Sequence, residues 1–152
     1  MKRVTVAMFL AMVCVVLAAH ASQSAGFSKE LGRAIAIGDI AAVQRALDSG
    51  DSVNATNKDK ETPLMIAALE GEITIVKLLV EKGADIQATD EMGATPLLYA
   101  AEGGSIDVIR YLVERGADPD ARTKGGDTAL SISEMKNNIG AVKYLKGINK
   151  GR

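Results

Sequence analysis

The strongest constraint on the fold is a sequence repeat with a fixed interval of 33 residues. The segment at 61–71 reads ETPLMIAALEG and returns at 94–104 as ATPLLYAAEGG, while IVKLLVEKGAD at 75–85 returns at 108–118 as VIRYLVERGAD. A period of this length is typical of proteins whose units are too small to bury their apolar faces alone. We therefore expect a stack of similar units in which each unit packs on its neighbours.

The repeat continues in both directions from these two copies. The same interval reaches further matches at 127–130, at 142–145 and, upstream, at Leu31, Gly38, Val43 and Gly50. Four units are predicted, at residues 28–60, 61–93, 94–126 and 127–149. Residues 22–27 form a short extension before the first unit, and residues 150–152 form a tail that is expected to fray.

Each unit predicts two helices. At the start of the first helix, Thr62 and Thr95 can act as caps, and Pro63 and Pro96 follow at a position where a missing N–H costs nothing. In the second helix, apolar residues recur three or four positions apart and predict one inward stripe, while Lys77 lies among solvated charges on the outer face. The stripe consists of Ile73, Val76, Leu79 and Val80, repeated as Ile106, Ile109, Leu112 and Val113.

The composition also favours helices. Hydrophobic residues make up 47% of the chain but aromatic residues only 3%, so Ala, Leu, Ile and Val must build the core. A β-sandwich prefers aromatic and β-branched residues. The alanine pairs at 67–68 and 100–101 leave room for a neighbouring helix to approach closely, and we expect an all-α fold.

A 33-residue period that contains Thr-Pro-Leu, Ala-Ala and Gly-Ala-Asp resembles the ankyrin repeat. The resemblance covers residues 28–149 and implies a solenoid of about four helix-turn-helix units, with a β-turn finger projecting between successive units. The implied finger tips are residues 58–61, 91–94 and 124–127.

Two departures from the ankyrin pattern affect the loops. Lys60 stands where the family has Gly, which predicts a strained or differently shaped first finger. Met65, Leu98 and Ser131 stand where the family commonly has His. We therefore expect apolar packing to replace the usual His contacts between neighbouring loops.

The resemblance also implies a binding surface. Ankyrin domains typically bind other proteins through the finger tips and the concave face of the first helices. Transferred by register, the implied partner-binding residues are Thr56, Lys58, Asp59, Glu61, Leu69 and Glu70, then Thr89, Glu91, Met92, Ala94, Glu102 and Gly103, and then Arg122, Lys124, Gly125, Asp127, Met135 and Lys136.

Two features of this implied surface bear on the partner. Leu69, Met92 and Met135 are apolar at positions that should be exposed, which favours a binding patch, although isolated exposed apolar residues are also ordinary on protein surfaces. The fingers mix Lys with Asp and Glu, which indicates a partner of mixed charge.

Residues 1–21 have the parts of a secretory signal peptide. Two basic residues precede an apolar run at 4–19, and Ala19 and Ala21 supply small residues at alternate positions. We predict a bacterial leader cleaved after Ala21, and export to the periplasm or, alternatively, out of the cell. A membrane anchor is the other interpretation, but a spanning helix needs roughly 20 apolar residues, and this run is shorter.

Cleavage would remove the only thiol and the only imidazole in the chain. Cys14 and His20 are the only Cys and the only His in the chain. We therefore predict no catalytic residue, no metal ligand and no cofactor. Asp118 and Asp120 form a candidate carboxylate pair, but Asp118 falls on the Gly-Ala-Asp position of the repeat and is assigned to loop hydrogen bonding. The glycine pair at 103–104 lacks the spacing of a P-loop and is assigned to a helix reversal.

Charge and modification motifs narrow the class of partner. The chain has 18 Lys and Arg and 19 Asp and Glu, and removal of the two leader cations leaves 16 against 19. Nothing in this balance attracts nucleic acid. Residues 54–56 form an N-glycosylation sequon, which would not be used behind a bacterial leader.

The resulting hypothesis is a non-catalytic, monomeric protein that binds a protein partner, with no membrane association after cleavage. An adaptor or inhibitor in the periplasm is the first interpretation. A secreted effector or immunity-type protein acting on a host or competitor protein is the alternative, and an enzyme comes third.

Overall fold

The computed structural model describes residues 26–149. These residues form eight α-helices and no strand, namely α1 (Lys29–Ala36), α2 (Ile40–Asp48), α3 (Pro63–Glu70), α4 (Ile73–Glu81), α5 (Pro96–Gly103), α6 (Ile106–Glu114), α7 (Ala129–Met135) and α8 (Ile139–Asn149). Each predicted unit contains one helix pair. The predicted leader at 1–21 and the tail at 150–152 lie outside the described residues.

The helices are arranged in two layers. The first helices of the units, α1, α3, α5 and α7, pack in series as an inner layer, and α2, α4, α6 and α8 form an outer layer against them. Ala67, Ala68, Ala100 and Ala101 are completely buried in α3 and α5. Their small side chains allow the close inner contacts that the sequence predicts. None of the helices in the described region has the length and apolar character needed to cross a membrane.

The predicted helix starts are confirmed, but one predicted cap is wrong. The Thr62 hydroxyl accepts the N–H of Met65 at 3.3 Å, and the helix begins at Pro63. In the next unit the helix begins at Pro96, yet the buried Thr95 hydroxyl makes no hydrogen bond to any described residue. Thr95 therefore has the extended backbone of a cap without the cap's hydrogen bond.

The first finger has the same backbone shape as the others. Lys60 has φ 62°, and the equivalent Gly93 and Gly126 have φ 76° and 90°. Left-handed backbone brings Cβ close to the following carbonyl and costs roughly 1–2 kcal/mol in a residue other than Gly. The predicted strain at Lys60 is confirmed, whereas the alternative of a different finger shape is wrong.

The buried residues of the outer helices include some that lie outside the predicted stripe. Val76 and Leu112 are fully buried as predicted, but so are Ile75 and Val108, which lie outside the stripe. An outer helix contacts the first helix of its own unit as well as the outer helices on either side. Burial on several sides widens the apolar face beyond one helical stripe.

The outer surface carries stacked cations. The Lys77 ammonium lies 5.8 Å from the ring centre of Tyr111, and the Arg115 guanidinium lies 4.7 Å from the same ring. Arg110 stacks on Tyr144 at 5.3 Å. Lys77 therefore contacts the neighbouring unit and is not only a solvated charge. Such contacts contribute about 0.5–1 kcal/mol at exposed sites.

Candidate functional site

Each finger is closed by one polar side chain at its base. In the second finger, Asp90 Oδ1 accepts the N–H groups of Met92 and Ala94, both at 2.8 Å. Asn57 and Thr123 make the equivalent pair of contacts in the first and third fingers. These local hydrogen bonds hold the turn in one conformation and satisfy N–H groups that no helix can use.

The fingers are also bonded to one another. The N–H of Glu91 donates to the carbonyl oxygen of Asp59 at 3.3 Å, and the N–H of Lys124 donates to that of Met92 at 2.8 Å. Main-chain bonds therefore run from the first finger to the second and from the second to the third. The three tips form one continuous edge.

A tyrosine bridge ties the inner helices to the first two fingers. The Tyr99 hydroxyl on α5 lies 2.8 Å from Glu61 Oε1 and 2.9 Å from Asp90 Oδ2. Asn57 Nδ2 donates to the other oxygen of Glu61 at 2.6 Å. Sequence reasoning missed this bridge. Its only signal is a hydroxyl-bearing side chain at a position where the repeat elsewhere has Ile66 or Ile132.

The three positions that lack the usual His are filled in different ways. Met65 and Leu98 are 0% and 2% exposed, so the predicted apolar packing is confirmed there. At Ser131 the prediction is wrong, because the Ser131 hydroxyl accepts the N–H of Thr128 at 2.9 Å and so makes a polar contact. The bridge at Tyr99 adds a side-chain contact to the first two fingers.

Burial raises the pKa of the Tyr99 hydroxyl above its ordinary value of 10.0, and the hydrogen bonds to Glu61 and Asp90 raise it further. A pKa raised by folding means that the unfolded chain loses this proton first as the pH rises. The stabilisation by Tyr99 is therefore complete below about pH 10 and declines above that value.

Replacing Tyr99 with Phe is expected to lower the free energy of unfolding by about 1–2 kcal/mol at neutral pH, because two carboxylates lose their shared donor. Above about pH 10 the difference between the two proteins should shrink, because the unfolded wild-type chain gains stability by ionising Tyr99. Urea unfolding at a series of pH values measures both effects. Equal stability of the two proteins at neutral pH would show that the bridge does not contribute.

Four apolar side chains are exposed at the ends of the inner helices and on the second finger. Leu69, Met92 and Met135 were predicted there and are 36%, 61% and 65% exposed. Ile37, which sequence reasoning missed, is 66% exposed and precedes the predicted Glu70 by one repeat interval. Applying the 33-residue interval to the first unit would have identified Ile37.

Most of the other predicted binding residues are exposed, and three are not. Thr56, Glu61 and Ala94 are half-buried, and Glu61 is part of the tyrosine bridge. Between the ends of α5 and α7, Glu102 forms an ion pair with Lys136. The exposed members are Lys58, Asp59, Leu69, Glu70, Thr89, Glu91, Met92, Glu102, Gly103, Arg122, Lys124, Gly125, Asp127, Met135 and Lys136.

Gly103 has a packing role whether or not it touches a partner. A Cβ at this position would lie 1.9 Å from the carbonyl oxygen of Leu69. Helix α5 therefore contacts the end of α3 through the bare backbone of Gly103. The helix reversal predicted for the glycine pair is made by Gly104, which has φ 80°.

In the loops between the outer helices and the fingers, polar side chains make local hydrogen bonds. Asp118 Oδ1 accepts the N–H of Asp120 at 3.0 Å, which confirms the assignment of Asp118 to loop hydrogen bonding. In the sequon, Asn54 Nδ2 donates to the carbonyl of Gly83 and Asn54 Oδ1 accepts the N–H of Asp85. Within residues 26–149 no set of three or more His, Cys, Asp or Glu side chains is placed to hold a metal ion.

Helix pairs stacked in two layers, with bonded fingers along one edge, define a helical repeat solenoid. The family model for ankyrin repeats (three copies) matches residues 31–123, and the chain belongs to the ankyrin-repeat family. Ankyrin repeats are in general protein–protein interaction modules and typically not catalytic. A comparison with curated proteins gives no match.

Proposed function

We propose that this protein is exported to the periplasm and binds a protein partner through its fingers and concave face, as an adaptor or inhibitor. The observation that carries the proposal is the position of the exposed apolar side chains. Among the described residues six large hydrophobic side chains are exposed; Leu69, Met92 and Met135 are predicted binding residues, and Ile37 is the equivalent of Glu70 in the first unit. Apolar side chains that cluster on one face mark interaction sites more strongly than scattered ones.

The construction of the fingers supports the same proposal. Asp90 and its equivalents fix the shape of each finger, and the bonds from Glu91 to Asp59 and from Lys124 to Met92 fix their spacing. A surface that is already ordered loses little conformational entropy when a partner binds. Local rigidity thus favours a recognition role for the fingers.

Capture of the partner tests the surface. Tagged protein is incubated with a periplasmic extract, and the retained proteins are identified and quantified. Replacing Met92 and Met135 with Asp is expected to reduce capture of the main retained protein at least about tenfold, because apolar contact area is lost and charge is buried. A partner found only in extracts of a host or competing cell would favour the effector or immunity interpretation.

The matched control replaces Ile40 and Ile139 with Asp. These residues are 45% and 81% exposed, lie at the starts of outer helices, and are not among the predicted binding residues. The control has the same loss of apolar area and the same added charge, so capture should be unchanged. Circular dichroism melts of both variants are needed, because stacked units pass destabilisation to their neighbours. If the control loses the partner while a folded Met92 and Met135 variant retains it, the proposed surface is wrong.

Export is tested separately by the mass of the protein in cell fractions. The leader motifs at residues 1–21 predict a processed chain that begins at Ser22 and is found in the periplasmic fraction. Mass spectrometry of that fraction measures the N-terminus. An intact chain beginning at Met1 in the membrane pellet would instead establish a membrane anchor.

A further inference from the structure

We infer that Met92 and Met135 are a modification site, at which oxidation of the two thioethers to sulfoxides weakens binding of the partner. The inference rests on the proposed function and adds reversible regulation to the same surface. Of the six methionines, only Met65, Met92 and Met135 follow the predicted cleavage site, and the single cysteine precedes it. The processed chain therefore has three thioethers and no thiol that would consume an oxidant first.

The three thioethers differ in their access to solvent. Met92 and Met135 are 61% and 65% exposed, whereas Met65 is 0% exposed. The sulfur of Met65 also accepts the N–H of Thr62 at 3.3 Å at the start of α3. Because an oxidant must reach the sulfur, the folded chain exposes two methionines to oxidation and protects the third.

The fold does not require a large apolar side chain at either exposed position. The equivalents of Met92 in the first and third fingers are Asp59 and Gly125, and both are exposed. The equivalents of Met135 in the other units are Ala36, Leu69 and Glu102, and all of them are exposed. Packing therefore does not account for the two methionines, and their thioethers are available for recognition.

Oxidation at these positions should change the surface without unfolding the chain. The N–H of Met92 donates to Asp90 Oδ1, and the Met92 carbonyl oxygen accepts the N–H of Lys124, both at 2.8 Å. Met135 is the last residue of α7. Neither methionine is part of the buried core. The backbone contacts do not involve the sulfur, so the added oxygen is solvated in the free protein.

The reaction needs a two-electron oxidant of the peroxide class. A lone pair of the Met sulfur attacks one oxygen of hydrogen peroxide, the S–O bond forms as the O–O bond breaks, and the transferred hydroxyl gives its proton to the departing oxygen, which leaves as water. The sulfur loses two electrons and the peroxide gains them. The proposed location outside the cytosol is an oxidising compartment.

The product changes what a partner meets on this surface. A sulfoxide is polar and chiral where the thioether was flexible and apolar. A partner that buries the side chain must remove water from the sulfoxide oxygen, so oxidation should weaken binding. Methionine sulfoxide reductases reverse the change with electrons from thiols, one enzyme for each epimer of the sulfoxide.

Peptide mass mapping of the processed chain after treatment with dilute hydrogen peroxide tests the site. Met92 and Met135 should each gain one oxygen atom at least about tenfold faster than Met65, because only their sulfurs are accessible. Circular dichroism should show an unchanged fold. Oxidation of Met65 at the same rate, or unfolding when only Met92 and Met135 are oxidised, would overturn the inference.

Capture from an untreated periplasmic extract tests the effect on binding. After removal of the peroxide, the oxidised tagged protein should retain at least about threefold less of the main protein that the unoxidised form captures. Treatment of the oxidised protein with both reductases and a dithiol should restore capture. The matched control is the double variant Met92→Leu, Met135→Leu, which keeps the apolar area but has no exposed thioether. Its capture should be the same before and after peroxide.

The outcomes separate the inference from the proposed function. Equal capture by the oxidised and unoxidised proteins would overturn the inference and leave the proposed function standing. An equal loss of capture in the leucine variant after peroxide would also overturn it, because the effect would then arise at another residue. If the leucine variant captures nothing before oxidation, the single variants Met92→Leu and Met135→Leu replace it, and each should respond less to peroxide than the unsubstituted chain. Failure of the unoxidised protein to retain any protein would contradict both proposals.

Discussion

Replacing Leu112 with alanine is expected to lower the free energy of unfolding by about 2–5 kcal/mol. Leu112 is 0% exposed in α6, and α6 packs against α5 and between α4 and α8. Loss of the side chain removes buried apolar area and leaves a cavity that several helices border. The loss is a large fraction of the roughly 5–15 kcal/mol of a typical small domain.

Guanidinium chloride unfolding followed by circular dichroism measures this effect. Leu69→Ala is the matched control, because it makes the same chemical change at a position that is 36% exposed. Its cost should be clearly smaller, since less area leaves water on folding. A cost below about 1 kcal/mol for Leu112→Ala would mean that the tight packing of the outer layer contributes little to stability.

Replacing Gly103 with alanine is expected to cost about 3 kcal/mol, the upper end of the usual cost of overpacking. The added Cβ would lie 1.9 Å from the Leu69 carbonyl oxygen, a backbone atom that no side-chain rotation can move away. Helices α3 and α5 would have to separate at their C-terminal ends. Thermal and denaturant unfolding of the variant give the size of the effect.

Whether Gly103→Ala lowers or raises the free energy of unfolding shows whether steric packing or helix propensity dominates at this position. Gly103 is the last residue of α5, where alanine is intrinsically the better helix former. Gly147 lies within α8, and a Cβ there would have no atom within 4 Å. Gly147→Ala should therefore stabilise the protein by about 0.5–1 kcal/mol. A stabilising Gly103→Ala variant would show that the inner helices adjust to the added methyl group without strain.

The architecture follows from the sequence because the repeat interval makes equivalent residues visible. The alternation of Thr-Pro starts, alanine pairs and apolar second helices predicts the helix pairs, and α3 and α5 begin at the predicted Pro63 and Pro96. The register also locates the exposed Leu69, Met92 and Met135. These features are local or recur in each unit, so the sequence shows the same pattern several times.

The contacts that sequence reasoning missed occur where a unit departs from the repeat. The bridge from Tyr99 to Glu61 and Asp90 needs three residues from two units, and no periodicity marks it. Gly103 is a second case, because the close approach of Leu69 depends on how far α3 and α5 separate in space. Distances between units depend on the packing of the whole stack and cannot be obtained from residue spacing.

The bonds between fingers make successive contacts with a partner interdependent. Because Glu91 is bonded to Asp59 and Lys124 to Met92, a ligand that restrains one tip also restricts the thermal motion of the next. A second contact then loses less conformational entropy than the first, which is positive cooperativity without a change of structure. A partner that spans all three fingers should accordingly bind more tightly than the sum of its contacts with isolated fingers would suggest.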